Sequence, residues 1–331
     1  MRPSPVRPTI DLDAQGKAHG FLRLPWSHDE SAWGNLMIPI TVINNGKGPT
    51  AILTGGNHGD EYEGPIALLK LARGLDPKQV QGRVIIVPFM NYPAFRAGRR
   101  TSPIDGGNMN RSFPGRPDGT VTEKIADYFE RMLLPEADYV LDFHAGGRTL
   151  DFLPFAVAHM LEDKDHEARC VAAMKAFAAP YSLMLLEIDS TGLYDTAAEA
   201  QGKVFISTEL GGGGTATAAS IGIAERGLDN FLKHAGILDG QPQHEPTIML
   251  DMPDHDCFIF AEDEGVLEMA NGLGDKVNKG DVIAYVHNAQ KTGGEPSPYR
   301  ARRSGLLVGR HHPGLISTGD CLAVLARVLD D

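Results

Sequence analysis

Residues 54–64 read TGGNHGDEYEG. They follow the apolar run AILT (51–54) and precede PIALLKLARGL (65–75), a helical-looking run. A short apolar strand, a glycine-rich turn and a helix, in that order, are the repeating unit of an α/β fold. The turn also crowds His58, Asp60, Glu61 and Glu63 together. So much charge directly after a buried strand stabilises no core, and it needs a reason outside packing.

Working outward from this junction, the same alternation continues to about residue 240. Strands are expected at 37–43, 51–56, 83–89, 138–144, 183–188 and 204–210, and helices at 64–74, 120–134, 164–178 and 219–235. Within 120–134, Ile125, Phe129, Met132 and Leu133 recur at helical spacing. The expectation is an α/β domain with a largely parallel or mixed sheet. Ligands in such sheets bind at the carboxyl ends of the strands. His58, His144 and Glu209 all fall at or just past strand ends. Residues 239–256, DGQPQHEPTIMLDMPDHD, read as a linker or domain edge. Beyond them, 264–288 and 304–326 are short β runs separated by Gly-Asp turns and share a loose internal echo. This texture resembles a lipoyl- or biotinyl-type β-sandwich, but the expected turn, EMANG (268–272), has no lysine to carry a prosthetic group. The segment therefore reads as a structural or lid domain. The division expected is a hydrolase α/β domain over 1–245 and a β-sandwich or barrel-like domain over 246–331.

The bulk properties narrow the function. The 331 residues carry a formal net charge of −12, with 42% hydrophobic and 22% charged residues. So acidic a chain is repelled by nucleic-acid phosphates and anionic membranes, so neither is an expected partner. Cys170, Cys257 and Cys321 lie far apart without a CxxC pair, which argues against a thiolate zinc site and a disulfide framework. The first residues, MRPSPVRPTIDLD, lack the apolar stretch of a signal peptide, and VIIVPFM (84–90) is too short to span a bilayer. A soluble cytoplasmic protein is expected, its oligomeric state open and a homo-oligomer included.

The chemistry starts at His58 and Glu61. Residues three apart in a helical turn can point the same way and meet one ion. Zinc accepts imidazole nitrogen and carboxylate oxygen, and a catalytic site keeps one position for water beside three protein ligands. His144, in LDFHAGG (141–147), is the natural third ligand. Glu209, in ISTELGGGG (206–214), sits where a general base would take a proton from the attacking water and return it to the leaving amine. The four glycines after it let the backbone approach closely, but no Lys-Ser/Thr follows, so they are no phosphate loop. Asn110 and Arg111, in GGNMNRSFPG (106–115), suit a substrate carboxylate. Arg99 or Arg100, in RAGRR (96–100), could stabilise an oxyanion, whereas Arg96 reads as solvated. Asp142 is placed to orient a ligand imidazole or, equally, to cap a strand. The histidine pair at 311–312 reads as surface or structural.

GGNHGDEYEG, NMNRSFPG, LDFHAGG and STELGGG, in this order, resemble the succinylglutamate desuccinylase/aspartoacylase family, within the wider zinc carboxypeptidase fold. The similarity covers roughly residues 40–330, including the trailing β domain. It implies His58, Glu61 and His144 as ligands of one Zn2+, Glu209 as general base, Asn110 and Arg111 as holders of the substrate carboxylate, and an upstream arginine near the carbonyl. Where the family has Asn-Asp-Leu-Asn-Arg, this chain has Gly107, Asn108, Met109, Asn110 and Arg111, without the acidic member. Across the whole chain the wording is most similar to the branch that deacetylates N(α)-acetyl-L-2,4-diaminobutyrate in ectoine breakdown. That similarity implies a zinc amidohydrolase acting on a small N-acyl amino acid. The alternatives are a deacylase of N-succinyl or N-acetyl acidic amino acids, a metallocarboxypeptidase, and a non-catalytic metal-binding protein. A cationic substrate amine calls for an acidic partner, for which Asp105 and Asp189 are candidates. A small pocket closed by the β domain would favour single amino acids over peptides.

Overall fold

A computed structural model describes residues 2–185 and 190–329 of the chain. At its centre lie three neighbouring parallel strands, Thr50–Thr54, Tyr139–Asp142 and Val204–Glu209. Their interiors are almost wholly apolar because helices cover both faces, as is usual for parallel strands. Side chains alternate across the sheet. Leu53, Leu141 and Ile206 pack on one face with the helices Glu63–Gly74, Lys164–Phe177 and Ala218–His234. Ile52, Val140 and Phe205 pack on the other with Val121–Tyr128 and Tyr194–Ala200. Polar caps fix where these helices begin: Thr120 and Thr217 close capping boxes, and Asp163 accepts from two backbone N–H groups.

The sheet is mixed. Thr50–Thr54 also pairs in parallel with Arg83–Val87, which runs antiparallel to Asn35–Asn44. On the far side Val204–Glu209 pairs antiparallel with Phe155–His159, which is parallel to Tyr181–Leu185. The expected strands and helices are all present as far as the chain is described, with shifted ends. The expected strand at 183–188 spans Tyr181–Leu185, and its last positions lie outside the described residues. The expected helix 120–134 is α-helical only over Val121–Tyr128. It widens into a π turn at Phe129–Leu133 and tightens at Leu134–Glu136, where Pro135 has no N–H to continue the ladder. The strands Gly16–Pro25 and Phe155–His159 were not expected.

Among the described residues the strands form one sheet of fifteen and a second of four. The larger sheet runs through the expected boundary at 245/246. Ile248–Asp251 lies inside the proline-rich linker and joins the main sheet parallel to Tyr181–Leu185, and it also pairs with Cys321–Val328. The segment after 246 does have a core of its own, built from Ile259, Ile283, Leu307, Leu322 and Leu325 among others. A second cluster joins Phe155, Val157 and Leu183 to Leu250, Met252, Leu306 and Val324. The segment after 246 thus has a core of its own but shares the larger sheet and one packed cluster with the residues before it. No helix among the described residues is long and apolar enough to cross a membrane.

Candidate metal centre and substrate cavity

The three central strands end side by side, with Thr54 opposite Asp142 and Asp142 opposite Ser207. The loops beyond them carry the expected ligands and base to one place. His58 and Glu61 lie in the turn just ahead of the helix Glu63–Gly74, with Tyr62 as its N-cap. That helix sits tightly on the ligand strand: a Cβ at Gly64 would lie 2.0 Å from the Cβ of Phe143. The run after Glu209 is equally close to its neighbour, since a Cβ on Gly212, at φ +155°, would meet the Leu150 carbonyl at 2.1 Å.

One ligand atom each from His58, Glu61 and His144 lies within 4.8 Å of the others. His58 Nδ1 is 2.7 Å from Glu61 Oε1, and His144 Nδ1 is 3.1 Å from Glu61 Oε2. Nε2 of His144 faces Asp142 Oδ2 at 2.8 Å. Asp142 is itself held by Asn57 Nδ2 (2.9 Å) and the Thr54 hydroxyl (2.7 Å). This arrangement turns the Nδ1 face of His144 toward Glu61 and makes the second ring nitrogen the proton carrier.

The electrostatics of the cluster call for a cation. Burial lowers the pKa of His58, so its imidazole is neutral and able to donate a lone pair. Burial also pulls His144 down, but the Asp142 and Glu61 carboxylates on either side outweigh it and hold the ring well above the ordinary value. Burial would raise Glu61, yet the two imidazoles keep it well below the carboxylate range. Positive charge is therefore wanted between the rings, where two Nδ1 atoms and a carboxylate already converge. Nitrogen and oxygen donors in this number suit a divalent ion such as zinc with one open position.

Around this cluster opens a cavity of about 500 Å3. Glu209 lines it, and its Oε2 is shielded from solvent and unpartnered. Burial, then the Glu61 charge, pushes this carboxyl up to about 8. Arg100 also lines the cavity, with Nη1 3.7 Å from Glu61 Oε1. Arg99 is exposed and outside the lining. The helix Tyr92–Ala97 ends at left-handed Gly98, and the turn delivers Arg100 rather than Arg99 to the cavity. Asn110 and Arg111 line the wall as well. Asn110 Oδ1 accepts from Tyr194 N (2.9 Å), which leaves the Asn110 amide NH2 as the group to meet a ligand.

The opposite wall is apolar. Phe152, Phe155 and Val157 line it from the strands of the main sheet, and Met252, Phe258, Phe260 and Val324 from the C-terminal segment, most of them within one shared cluster. The β-rich segment therefore supplies part of the cavity wall.

Other expectations resolve differently. Asp105 is no lining residue: it accepts from the backbone N–H and hydroxyl of Thr122 and from Gly107 N, and so anchors the loop before Asn110. Asp189 lies outside the described residues. Arg96 is exposed beside Tyr92. His311 is buried, with Nε2 3.0 Å from the Leu315 carbonyl oxygen, while His312 is exposed. Sequence reasoning passed over Asp195 and His159, which both line the cavity. An isolated acid in LYDTAAEA (193–200) and a histidine ending FAVAH (155–159) carry no motif that would mark them.

Residues 47–235 match the succinylglutamate desuccinylase/aspartoacylase catalytic domain. The chain belongs to that family. It is 57% identical to the N-alpha-acetyl-L-2,4-diaminobutyric acid deacetylase of Halomonas elongata, over all of this chain and 97% of that one. The product-bound structure of the ectoine utilization protein EutE (DoeB) from Ruegeria pomeroyi is 63% identical. It superposes with a TM-score of 0.98 over 99% of this chain and all of that one. A succinylglutamate desuccinylase from Silicibacter sp. TM1040 is 61% identical, with a TM-score of 0.97 over the same shares. The α/β fold expected from the strand–turn–helix pattern is the fold of this family.

Proposed function

We propose that this family member is a zinc-dependent amidohydrolase that releases acetate from N(α)-acetyl-L-2,4-diaminobutyrate, in the cytoplasm and as part of ectoine breakdown. Full-length identity of 57% to a deacetylase of that substrate supports the choice. The observation that carries the chemistry is the convergence of His58, Glu61 and His144 in one cavity with Glu209, whose Oε2 is shielded and unpartnered.

A zinc ion on His58, Glu61 and His144 would polarise the amide carbonyl and acidify the attacking water. The protein supplies the rest. Glu209 accepts the proton of the attacking water and delivers it to the leaving amine; a carboxyl whose proton affinity is raised by burial suits a group that must hold that proton between the two steps. Arg100 steadies the oxyanion as negative charge develops. Arg111 and the amide NH2 of Asn110 grip the α-carboxylate and set the amide in register over the metal site. Asp142 fixes the orientation of His144. The apolar wall would shield the reacting amide from bulk water, and a cavity of about 500 Å3 suits a single acyl amino acid.

The succinylglutamate desuccinylase likeness keeps a second substrate in play, since that relative is nearly as similar. The deciding experiment measures metal content and acetate release from N(α)-acetyl-L-2,4-diaminobutyrate, before and after chelation. About one zinc per chain, with turnover that chelation stops and zinc restores, is expected. Zinc-dependent release of succinate instead would move the substrate. A metal-free protein that added zinc does not activate would overturn the site.

A further inference from the structure

The substrate proposed above carries a distal ammonium, and neither the metal ligands nor the Arg111–Asn110 pair can bind it. We propose that Asp195 is the acceptor for this ammonium and sets the preference for a cationic side chain. The inference rests on the reading of the site as a deacetylase of diaminobutyrate.

Among the described residues only two carboxylates, Glu209 and Asp195, line the cavity. Glu209 stands by the metal ligands and is committed to the proton transfer. Asp195 lies beside the carboxylate grip. Tyr194 N donates to Asn110 Oδ1 at 2.9 Å, so Asp195 is one residue from the grip, roughly 3.8 Å along the chain. The two loops are joined a second time, by Phe113 N and the Gly192 carbonyl (3.1 Å). A Cβ on Gly192 would lie 2.7 Å from the Arg111 carbonyl oxygen. The position of Asp195 relative to Asn110 and Arg111 is therefore fixed. That relation is what a ligand needs when an α-carboxylate and an ammonium are separated by a short chain.

The local charge favours a cation. Asp195 is buried, and its Oδ1 is held by the Thr196 hydroxyl (3.1 Å) and backbone N–H. Its Oδ2 is 4.0 Å from His159 Nε2, and His159 Nδ1 is 2.9 Å from Glu199 Oε1. Among the described residues two carboxylates, Asp195 and Glu199, flank the one imidazole of His159, so this corner of the cavity offers carboxylate oxygens to a cation. An ammonium gains by entering it, while the carboxylate side chain of an acidic amino acid is repelled.

The test compares zinc-loaded wild type with Asp195→Asn on N(α)-acetyl-L-2,4-diaminobutyrate and on N-acetyl-L-norvaline, which replaces the ammonium by a methyl group. The readout is the ratio of the two kcat/KM values, with zinc content measured on the same preparations. The ratio should favour the cationic substrate in wild type and fall about 100-fold in the variant, as when one partner of a buried charge pair is removed. Asp195→Glu advances the carboxylate by one methylene, so it should move the preference toward N(α)-acetyl-L-2,3-diaminopropionate. It decides the question should Asp195→Asn not hold zinc. A ratio altered less than threefold, or equal loss on both substrates, overturns the role of Asp195 and leaves the deacetylase reading standing. A wild-type enzyme that hydrolyses neither substrate overturns both.

Discussion

Single side chains decide the chemistry, and two can be separated by experiment. Alanine at Glu209 removes the proton carrier but no ligand, so turnover should fall by about 10²–10⁴-fold while zinc content is unchanged. Near-normal turnover would end its assignment as base. Asp105 is a different case, since it anchors the loop before Asn110 instead of touching a ligand. Burial would raise its pKa, but the Thr122 and Gly107 donors outweigh that and hold the carboxyl below its ordinary value. A depressed folded-state pKa contributes stability above the unfolded value, about 3.9, and loses it as pH falls through the folded one. Asp105→Asn should thus cost about 1–2 kcal/mol at neutral pH, measured by urea unfolding, and the gap to wild type should close below about pH 4. A gap that persists in acid would show that the charge is irrelevant. The convergence of His58, Glu61, His144 and Glu209 was legible because they sit at strand ends inside glycine-rich runs. The choice between Arg99 and Arg100 was not, because one left-handed residue, Gly98, makes it. Asp195 was illegible because its importance comes from a hydrogen bond between loops 84 residues apart in sequence.

Among the elements, the helix Glu63–Gly74 carries the most consequence, since it follows directly on the His58–Glu61 turn. Gly64 lets it rest against Phe143, the residue before His144. Gly64→Ala should force the two apart, costing about 1–3 kcal/mol as overpacking does and weakening zinc binding, as followed by metal titration. Gly74→Ala, at the other end of the same helix, meets nothing within 4 Å. It should be neutral or slightly stabilising and leave zinc affinity alone. Equal behaviour of the two variants would contradict the tight seat at Phe143. The central strands were readable as continuous apolar runs between turns. Phe155–His159 was missed because five apolar-rich residues after a proline give no period, and what makes them a strand is pairing with residues 26 and 50–54 positions away. Gly16–Pro25 alternates only over its last positions, where Leu22 and Leu24 are buried and Phe21 and Arg23 are exposed.

At the scale of the whole molecule, the C-terminal segment is a wall of the cavity as much as a domain. A chain ending at residue 245 would leave Phe155, Val157 and Leu183 uncovered and the edge of Tyr181–Leu185 unpaired. It should aggregate, and any soluble fraction should bind zinc yet hydrolyse nothing, as gel filtration and acetate assay would show. A monomeric, active fragment would refute the shared sheet. The change of texture after residue 246 was plain in the sequence, but the fusion of the sheets was not, since IMLD (248–251) looks like linker until its partners are known. The order of the parts along the chain has a consequence for biosynthesis. His58, Glu61, His144 and Glu209 all leave the ribosome well before Phe258, Phe260 and Val324. If zinc binds as proposed, a nascent chain would have its ligands in hand while the binding cavity is still open to solvent, and would gain the full cavity wall only when the last strands dock.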